Sequence, residues 1–282
     1  DESAKWRALV ALEMKYSNNF VTPTLNGEIY HNKPPLFNYL LLPLVESENN
    51  LEFKLRLVNV VSIILLCIVV YFIASKEFDK KQTLLVTLTF AFSHALYLIG
   101  SLKLSLDPFF SLLVVILFYC NYKFVRHNNI LLLFICGYSI AALAFLTKGY
   151  QAIFFQFVSL FSVLFVFNRM RLLISWKHLI GVFIFCCVVG TYALLYKVSN
   201  PNANWFSALF SDVIYKLDID GHSRFLNFVS FVGKSVFAYF FLVFFLIIFY
   251  KRFYFIIFKN KFIFYSVLIS VIGVCPFILG DY

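Results

Sequence analysis

The sequence predicts an all-α polytopic membrane protein, and three observations carry that prediction. Hydrophobic residues make up 62% of the chain and charged residues only 13%, whereas a soluble domain is nearer half apolar and about a quarter charged. Apolar runs of roughly 17–25 residues recur, each long enough to cross about 30 Å of hydrocarbon as a helix. The connections between these runs alternate between strongly basic and charge-balanced, the asymmetry that orients helices in a bilayer.

Eight spans account for the runs, at 57–75, 83–102, 108–125, 130–147, 150–168, 179–196, 230–250 and 262–279. One set of connections holds Lys76, Lys80 and Lys81, then Lys123 and Arg126, then Arg169, Arg171 and Lys177, then Lys251, Arg252, Lys259 and Lys261. Those twelve bases face only Glu77 and Asp79, an excess of ten that equals the +10 of the whole chain. The positive balance therefore belongs to topology, and no nucleic-acid partner is implied. By the positive-inside rule these connections are cytoplasmic. The other side carries Asp1, Glu2, Lys33, Asp107, Lys148, the 197–229 loop and Asp281.

Residues 1–55 are expected as an outer loop and 56–282 as the bundle of spans. The first residues, DESAKW, are polar and lack an initiator Met, so at least one further span is expected upstream of this sequence. The outer loop begins with an amphipathic helix whose Trp6, Leu9, Val10 and Met14 can lie on the membrane surface. Next comes TPTLNGEIYHNKPPLFNYL (Thr22–Leu40), polar and rich in turn residues. Its Pro34-Pro35 pair opens a short apolar helix, since proline is favoured where a backbone N–H has no helical partner. Lys33 is thereby held where water meets lipid, suited either to a phosphate or simply to snorkelling. Residues 36–45 are too short to span and are expected in the interface. In the 197–229 loop, Trp205, Phe206, Leu209 and Phe210 predict a second interfacial helix.

Other candidates each have a plain structural explanation beside a functional one. Asp1 and Glu2 are carboxylates that a helix N-terminus favours. Asp107-Pro108 is a standard helix start, and Lys148-Gly149 a usual helix end. Arg7, Lys54 and Arg56 are interfacial bases, and Lys234 sits one turn into its span. His94, inside a span, is either functional or a neutral packed side chain. The six cysteines fall in or beside apolar runs without metal-ligand spacing, as small hydrophobes rather than disulfides or zinc ligands. The sequence has no phosphate-binding glycine loop, no nucleophile–histidine arrangement and no metal motif.

RALVALEM (Arg7–Met14), the TPTLNGEIYHNKPPLFNYL block, SLDPFF (Ser105–Phe110) and FLTKG (Phe145–Gly149) occur in an order that resembles a known family. These are the polyprenyl-phosphate-sugar-dependent glycosyltransferases of the protein O-mannosyltransferase and lipid A aminoarabinose transferase type. The resemblance covers residues 1 to about 150 and is most specific in LNG…KPPL. It implies a C-type glycosyltransferase bundle with interfacial helices in the first outer loop. It also implies transfer of a sugar from a polyprenyl-phosphate carrier to a lipid, glycan or protein acceptor. The matching positions assign Asp1 as the catalytic carboxylate and Lys33, Arg7 and Lys148 to the donor phosphate. Glu2, Tyr30, His31 and Asp107 are assigned to the sugar or acceptor cavity.

In the aminoarabinose branch a Glu precedes the motif lysine, whereas Asn32 stands here, so no metal role carries over from it. The spacing from Asp1-Glu2 to Glu13-Met14 is also about two residues longer than in that branch. The sequence shows no required cofactor and leaves a divalent metal open. The expected setting is the bacterial cytoplasmic membrane and its cell envelope, with the site on the extracytoplasmic face. Alternatives are a lipid-linked glycan ligase of the same fold and a non-enzymatic polyprenyl-lipid flippase or transporter. A transporter would carry its charges near the midplane in broken helices of inverted repeats.

Overall fold

A computed structural model describes residues 2–30, 33–45, 50–100, 104–210 and 259–273, with backbone alone for 2–5, 93–100 and 273. The described chain is helical apart from a two-stranded hairpin. Helix α1 (Glu2–Tyr16) leads into β1 (Thr24–Leu25) and β2 (Glu28–Ile29), followed by the short α2 (Leu36–Leu41). The long helices are α3 (Leu51–Glu77), α4 (Lys80–Gly100), α5 (Asp107–Arg126), α6 (Ile130–Lys148), α7 (Gln151–Val166) and α8 (Trp176–Ser199). A 3₁₀ turn (Met170–Ile174) joins α7 to α8, residues 205–210 are helical, and α9 spans Lys261–Gly273.

Among the described residues α3, α5, α6 and α8 are long and apolar enough to cross a membrane. The expected span at 230–250 lies outside the described residues, as do His31, Asn32, Cys275 and Asp281. Helix α7 has 16 residues against the 19 expected. It stops early because Asn168 adopts a left-handed φ of 54° and the Arg169 N–H returns to the Leu164 carbonyl at 2.8 Å. Helix α5 ends the same way, with Asn128 at φ 60° and Asn129 N–H on Phe124 O at 2.9 Å. Asparagine tolerates this αL stop, which satisfies carbonyls the helix would leave orphaned. Asp79 opens α4 by accepting the Gln82 N–H at 2.8 Å, and Ser175 opens α8 by accepting that of His178.

Among the described residues the bundle holds two apolar cores, one at each end. The first gathers Phe37, Leu41, Phe110, Phe145, Tyr192, Tyr196 and Trp205 from the first loop, α5, α6, α8 and the 205–210 turn. The second gathers Tyr122, Leu133, Phe134, Val163, Leu164 and Tyr265 from α5, α6, α7 and α9. Beside the second core runs a buried polar chain. Asn121 Nδ2 donates to Gln156 Oε1 at 3.0 Å and to Ser159 Oγ at 2.8 Å, and Ser159 meets the Tyr265 hydroxyl at 2.7 Å. Such bonds fasten helices in lipid, where apolar contact gives no preference for protein over acyl chain.

Helices α6 and α8 approach closely at Gly181. There the His178 Nδ1–H donates to Leu173 O at 2.6 Å, which leaves Nε2 to accept the Tyr138 hydroxyl at 2.5 Å. The outward faces are apolar, with Phe157, Phe161 and Phe165 stacked along α7 and Leu179, Phe183 and Leu194 exposed on α8.

Helix α1 departs from its expected position. Trp6 is exposed and Leu9 half-buried, but Val10 and Met14 are fully buried, not spread on the membrane surface. The hairpin and α2 fold back on α1 and cover that stripe. The 205–210 turn is likewise only half interfacial: Trp205 and Leu209 are buried while Phe206 and Phe210 are exposed.

Candidate active site

The charged groups of the first loop and of two helix ends meet at one end of the bundle. Helix α5 begins at Asp107, with Pro108 in its first turn. Helix α6 runs antiparallel and ends at Lys148, where Gly149 supplies the φ of 79° that stops it. Residues 41 apart in sequence are thereby joined: Lys148 Nζ donates to Asp107 Oδ1 at 2.7 Å. The second carboxylate oxygen accepts from the Ser105 hydroxyl at 2.7 Å. The Lys148 ammonium also stands 5.2 Å from the centre of the Phe110 ring, whose negative face favours a cation. Its side chain is only 20% exposed, so the charge is partly withdrawn from water.

Arg7 reaches the same region from α1. Its guanidinium lies 5.9 Å from the Phe37 ring centre and within electrostatic reach of Tyr30 and Asp107. Burial draws its proton affinity below the ordinary value, while Tyr30 and Asp107 act in the opposite sense. An arginine so shifted is still charged at neutral pH. Arg7, Tyr30, Asp107 and Lys148 thus come together, with Lys33 half-buried just before α2.

Asp1 and His31 lie outside the described residues, and of Glu2 only its place at the start of α1 is described. Arg56 pairs with Glu52 one turn away on α3, and the side chains of His94 and Lys234 lie outside the described set. Among the described residues no three His, Cys, Asp or Glu side chains group closely enough to share a metal ion, and the five described cysteines are free.

Three features not foreseen from the sequence fix the first loop. Asn26 and Gly27, with φ of 55° and 80°, form the tight turn between β1 and β2, for which Asn-Gly is the strongest short-range sequence signal. Glu13 on α1 clamps that turn, accepting the Asn26 N–H at 2.6 Å and the Gly27 N–H at 3.2 Å. Burial would raise the Glu13 carboxyl, but the Thr24 hydroxyl and these two N–H groups outweigh it and hold the group below its ordinary value. Finally, the loop is tied to α8: Tyr192 donates to Val21 O at 2.9 Å and Asn200 Nδ2 to Thr22 Oγ1 at 2.6 Å. Tyr39 on α2 adds a bond to Phe20 O at 2.6 Å.

The arrangement offers preorganised cations beside a carboxylate, at a partly dehydrated end of a helical bundle. Such a site suits an anionic head group, because charge-assisted contacts strengthen as water is excluded.

Residues 32–194 match the family of dolichyl-phosphate-mannose-protein mannosyltransferases. No individual curated protein matches the chain. Among solved structures, the fold resembles that of ArnT from Cupriavidus metallidurans in the apo state, with 20% identity, a TM-score of 0.56 and 70% of this chain covered. The same protein bound to undecaprenyl phosphate gives 20% identity, a TM-score of 0.58 and 71% coverage. The matched region spans 37% of that chain, so the likeness extends over little more than a third of it. The all-α bundle of a C-type glycosyltransferase is therefore the fold, in a multi-pass membrane protein.

Proposed function

The chain belongs to the dolichyl-phosphate-mannose-protein mannosyltransferase family, and from that premise we propose that it transfers a sugar from a polyprenyl-phosphate carrier to an acceptor hydroxyl. The observation that carries the proposal is the meeting of Lys148, Asp107, Arg7 and Tyr30 at one end of the bundle, against the first loop. The binding of undecaprenyl phosphate by the structurally similar ArnT supports a lipid-phosphate donor.

The chemistry follows from the leaving group. A sugar joined through its anomeric carbon to a phosphate needs no general acid, because the phosphate departs as an anion. It needs a base for the acceptor proton and cations for the developing charge. Asp1 is assigned the first role. Lys33, Arg7 and Lys148 are assigned the second, with Asp107 holding the Lys148 ammonium in place. Glu2, Tyr30 and His31 are assigned to the sugar or acceptor. A single displacement would invert the anomeric configuration. The site is assigned to the extracytoplasmic face of a bacterial cytoplasmic membrane, with residues 1–55 as its outer loop, because the basic connections gather at the opposite end of the helices.

The test is transfer from purified polyprenyl-phosphate sugars by the full-length protein in detergent, beside its Asp1→Asn and Lys148→Ala forms. Polyprenyl phosphate should be released by the wild type, with roughly 10²–10⁴-fold loss in Asp1→Asn and roughly 10²–10³-fold loss in Lys148→Ala. Full activity in both variants would refute the assigned roles. A folded protein that releases no polyprenyl phosphate from any donor would favour lipid transport instead.

A further inference from the structure

A second polar cleft lies at the opposite end of α5 and α6 from Lys148 and Asp107. Helix α5 has 20 residues, which at about 1.5 Å per residue separates the two ends by roughly 30 Å. Here the α5–α6 turn meets the link between α7 and α8, and the two asparagine-terminated helix ends border an open groove of about 690 Å³. Asn128, Asn168, Arg169 and Arg171 line it, with Ile130 and Leu172 among its apolar walls and no acidic side chain.

The two arginines are arranged differently. Arg169 is held in place: its Nη1 donates to Asn128 Oδ1 at 2.7 Å and to Val125 O at 3.4 Å. A guanidinium has five donors, so this anchoring orients the group while leaving most of its fork to meet another ligand. Arg171 is exposed on the 3₁₀ turn. Among the described residues neither arginine makes an ion pair. Glu77, the acid at this end that does pair, is engaged by Arg126 at 2.7 Å.

What adjoins the cleft is apolar and open. Ile174 is 91% exposed, Trp176 64%, Leu179 68% and Phe183 68%. Trp176, Leu179 and Phe183 recur at helical spacing along one side of α8, which leads from the arginines into the span. Tryptophan at the head of such a face is typical of the membrane–water boundary.

We propose that this cleft binds the anionic head group of a phospholipid, with Arg169 and Arg171 on the phosphate and an acyl chain along the Trp176–Leu179–Phe183 face. Charge complementarity selects the ligand: arginine matches phosphate geometry with paired donors, and the adjoining apolar strip distinguishes a lipid from a free anion. The site is separate from that of the proposed donor and does not depend on the transfer reaction.

The experiment is thermal unfolding of the full-length protein in detergent. Dioleoyl-phosphatidylglycerol, dioleoyl-phosphatidylcholine and inorganic phosphate are added separately. A lipid that binds only the folded state at a hundredfold excess over its Kd should raise Tm by about 5–10 °C. Phosphatidylglycerol should do so, and the R169Q/R171Q double variant should lose most of the rise. R171Q alone, which removes no bond among the described residues, should lose at least half of it and serves if the double variant folds poorly. K76Q, at the same end but outside the cleft, should keep it. An equal rise with phosphatidylcholine, or a rise that survives R171Q, would overturn the proposal. A rise of the same size with inorganic phosphate would overturn the lipid assignment in favour of a free-anion site.

Discussion

Gly181 and Gly190 lie on the same helix, α8, yet an added methyl should affect them with opposite sign. At Gly181 a Cβ would fall 2.4 Å from Tyr138 Cδ2, 2.9 Å from the Phe134 carbonyl oxygen and 3.0 Å from Phe134 Cβ. The ring of Tyr138 cannot swing freely, because its hydroxyl is bonded to His178 Nε2 at 2.5 Å. The Phe134 oxygen belongs to the backbone of α6 and moves only with that helix. Relief therefore requires α6 and α8 to separate by about 0.5–1 Å, against the resistance of a close-packed interior. Overpacking of this kind costs about 1–3 kcal/mol. At Gly190 nothing lies within 4 Å of the added Cβ, so the helix gains only the roughly 1 kcal/mol by which alanine exceeds glycine. That propensity gain is common to both sites, so the difference between the variants isolates the steric cost. At roughly 2–4 °C per kcal/mol for a chain of this size, Gly181→Ala should melt about 2–12 °C below Gly190→Ala. Parallel thermal unfolding in one detergent, followed by circular dichroism, reads the gap directly. Melting temperatures within one degree of each other would refute the close approach of α6 to α8.

Three further outcomes follow from other contacts. Tyr265→Phe removes the hydroxyl shared by Ser159 and the Phe118 carbonyl; it should cost about 0.5–2 kcal/mol, and an unchanged melting temperature would show that the polar chain does not fasten α9. The Glu13 clamp on the hairpin depends on pH. Because the folded carboxyl lies below its ordinary 4.5, its contribution is fully present above that value and is lost as pH falls through the lowered folded one. The protection of the Asn26 and Gly27 amides, taken as the intrinsic exchange rate over the observed rate at each pH, should therefore fall on acidification in the wild type. In Glu13→Gln that protection should be low at neutral pH already, and indifference to both changes would dismiss the clamp. In the transfer assay, Lys148→Ala should lose about 10²–10³-fold in kcat. Asp107→Asn, which keeps the ammonium but weakens its anchor, should lose about tenfold; a larger loss in Asp107→Asn than in Lys148→Ala would reverse the roles given to the pair.

The helical bundle was legible in the sequence because lipid demands long apolar runs and leaves little choice of element. Helix ends at Asp107-Pro108 and Lys148-Gly149 were legible too, since their signals are local. The bond between those two ends was not: topology puts both on the outer side, but that Lys148 reaches Asp107 across 41 residues depends on how α5 and α6 are rotated against each other. The stripe of Val10 and Met14 illustrates a different limit. An apolar helix face announces that it will be covered, but lipid and protein are equally apolar covers, and here protein is the cover. Asn26-Gly27 carried a hairpin signal outright, masked by the polar run around it. Glu13 carried none, since a carboxylate bound to backbone N–H groups resembles any other solvated acid until the turn is in place.

The bonds from the first loop to α8 bear on the order in which the molecule matures. Thr22 and its partner Asn200 are 178 residues apart, and Val21 and Tyr192 are 171 apart. At about 5–20 residues per second of synthesis, Thr22 waits roughly 10–35 s for Asn200 to leave the ribosome. Through that interval Arg7, Tyr30 and Lys33 are already made, while the helix that anchors their loop is not yet inserted. A nascent chain arrested before α8 would hold every charged residue of the candidate site described above yet lack the fastening of the loop, so competence to grip a phosphate would arise late and abruptly during biogenesis.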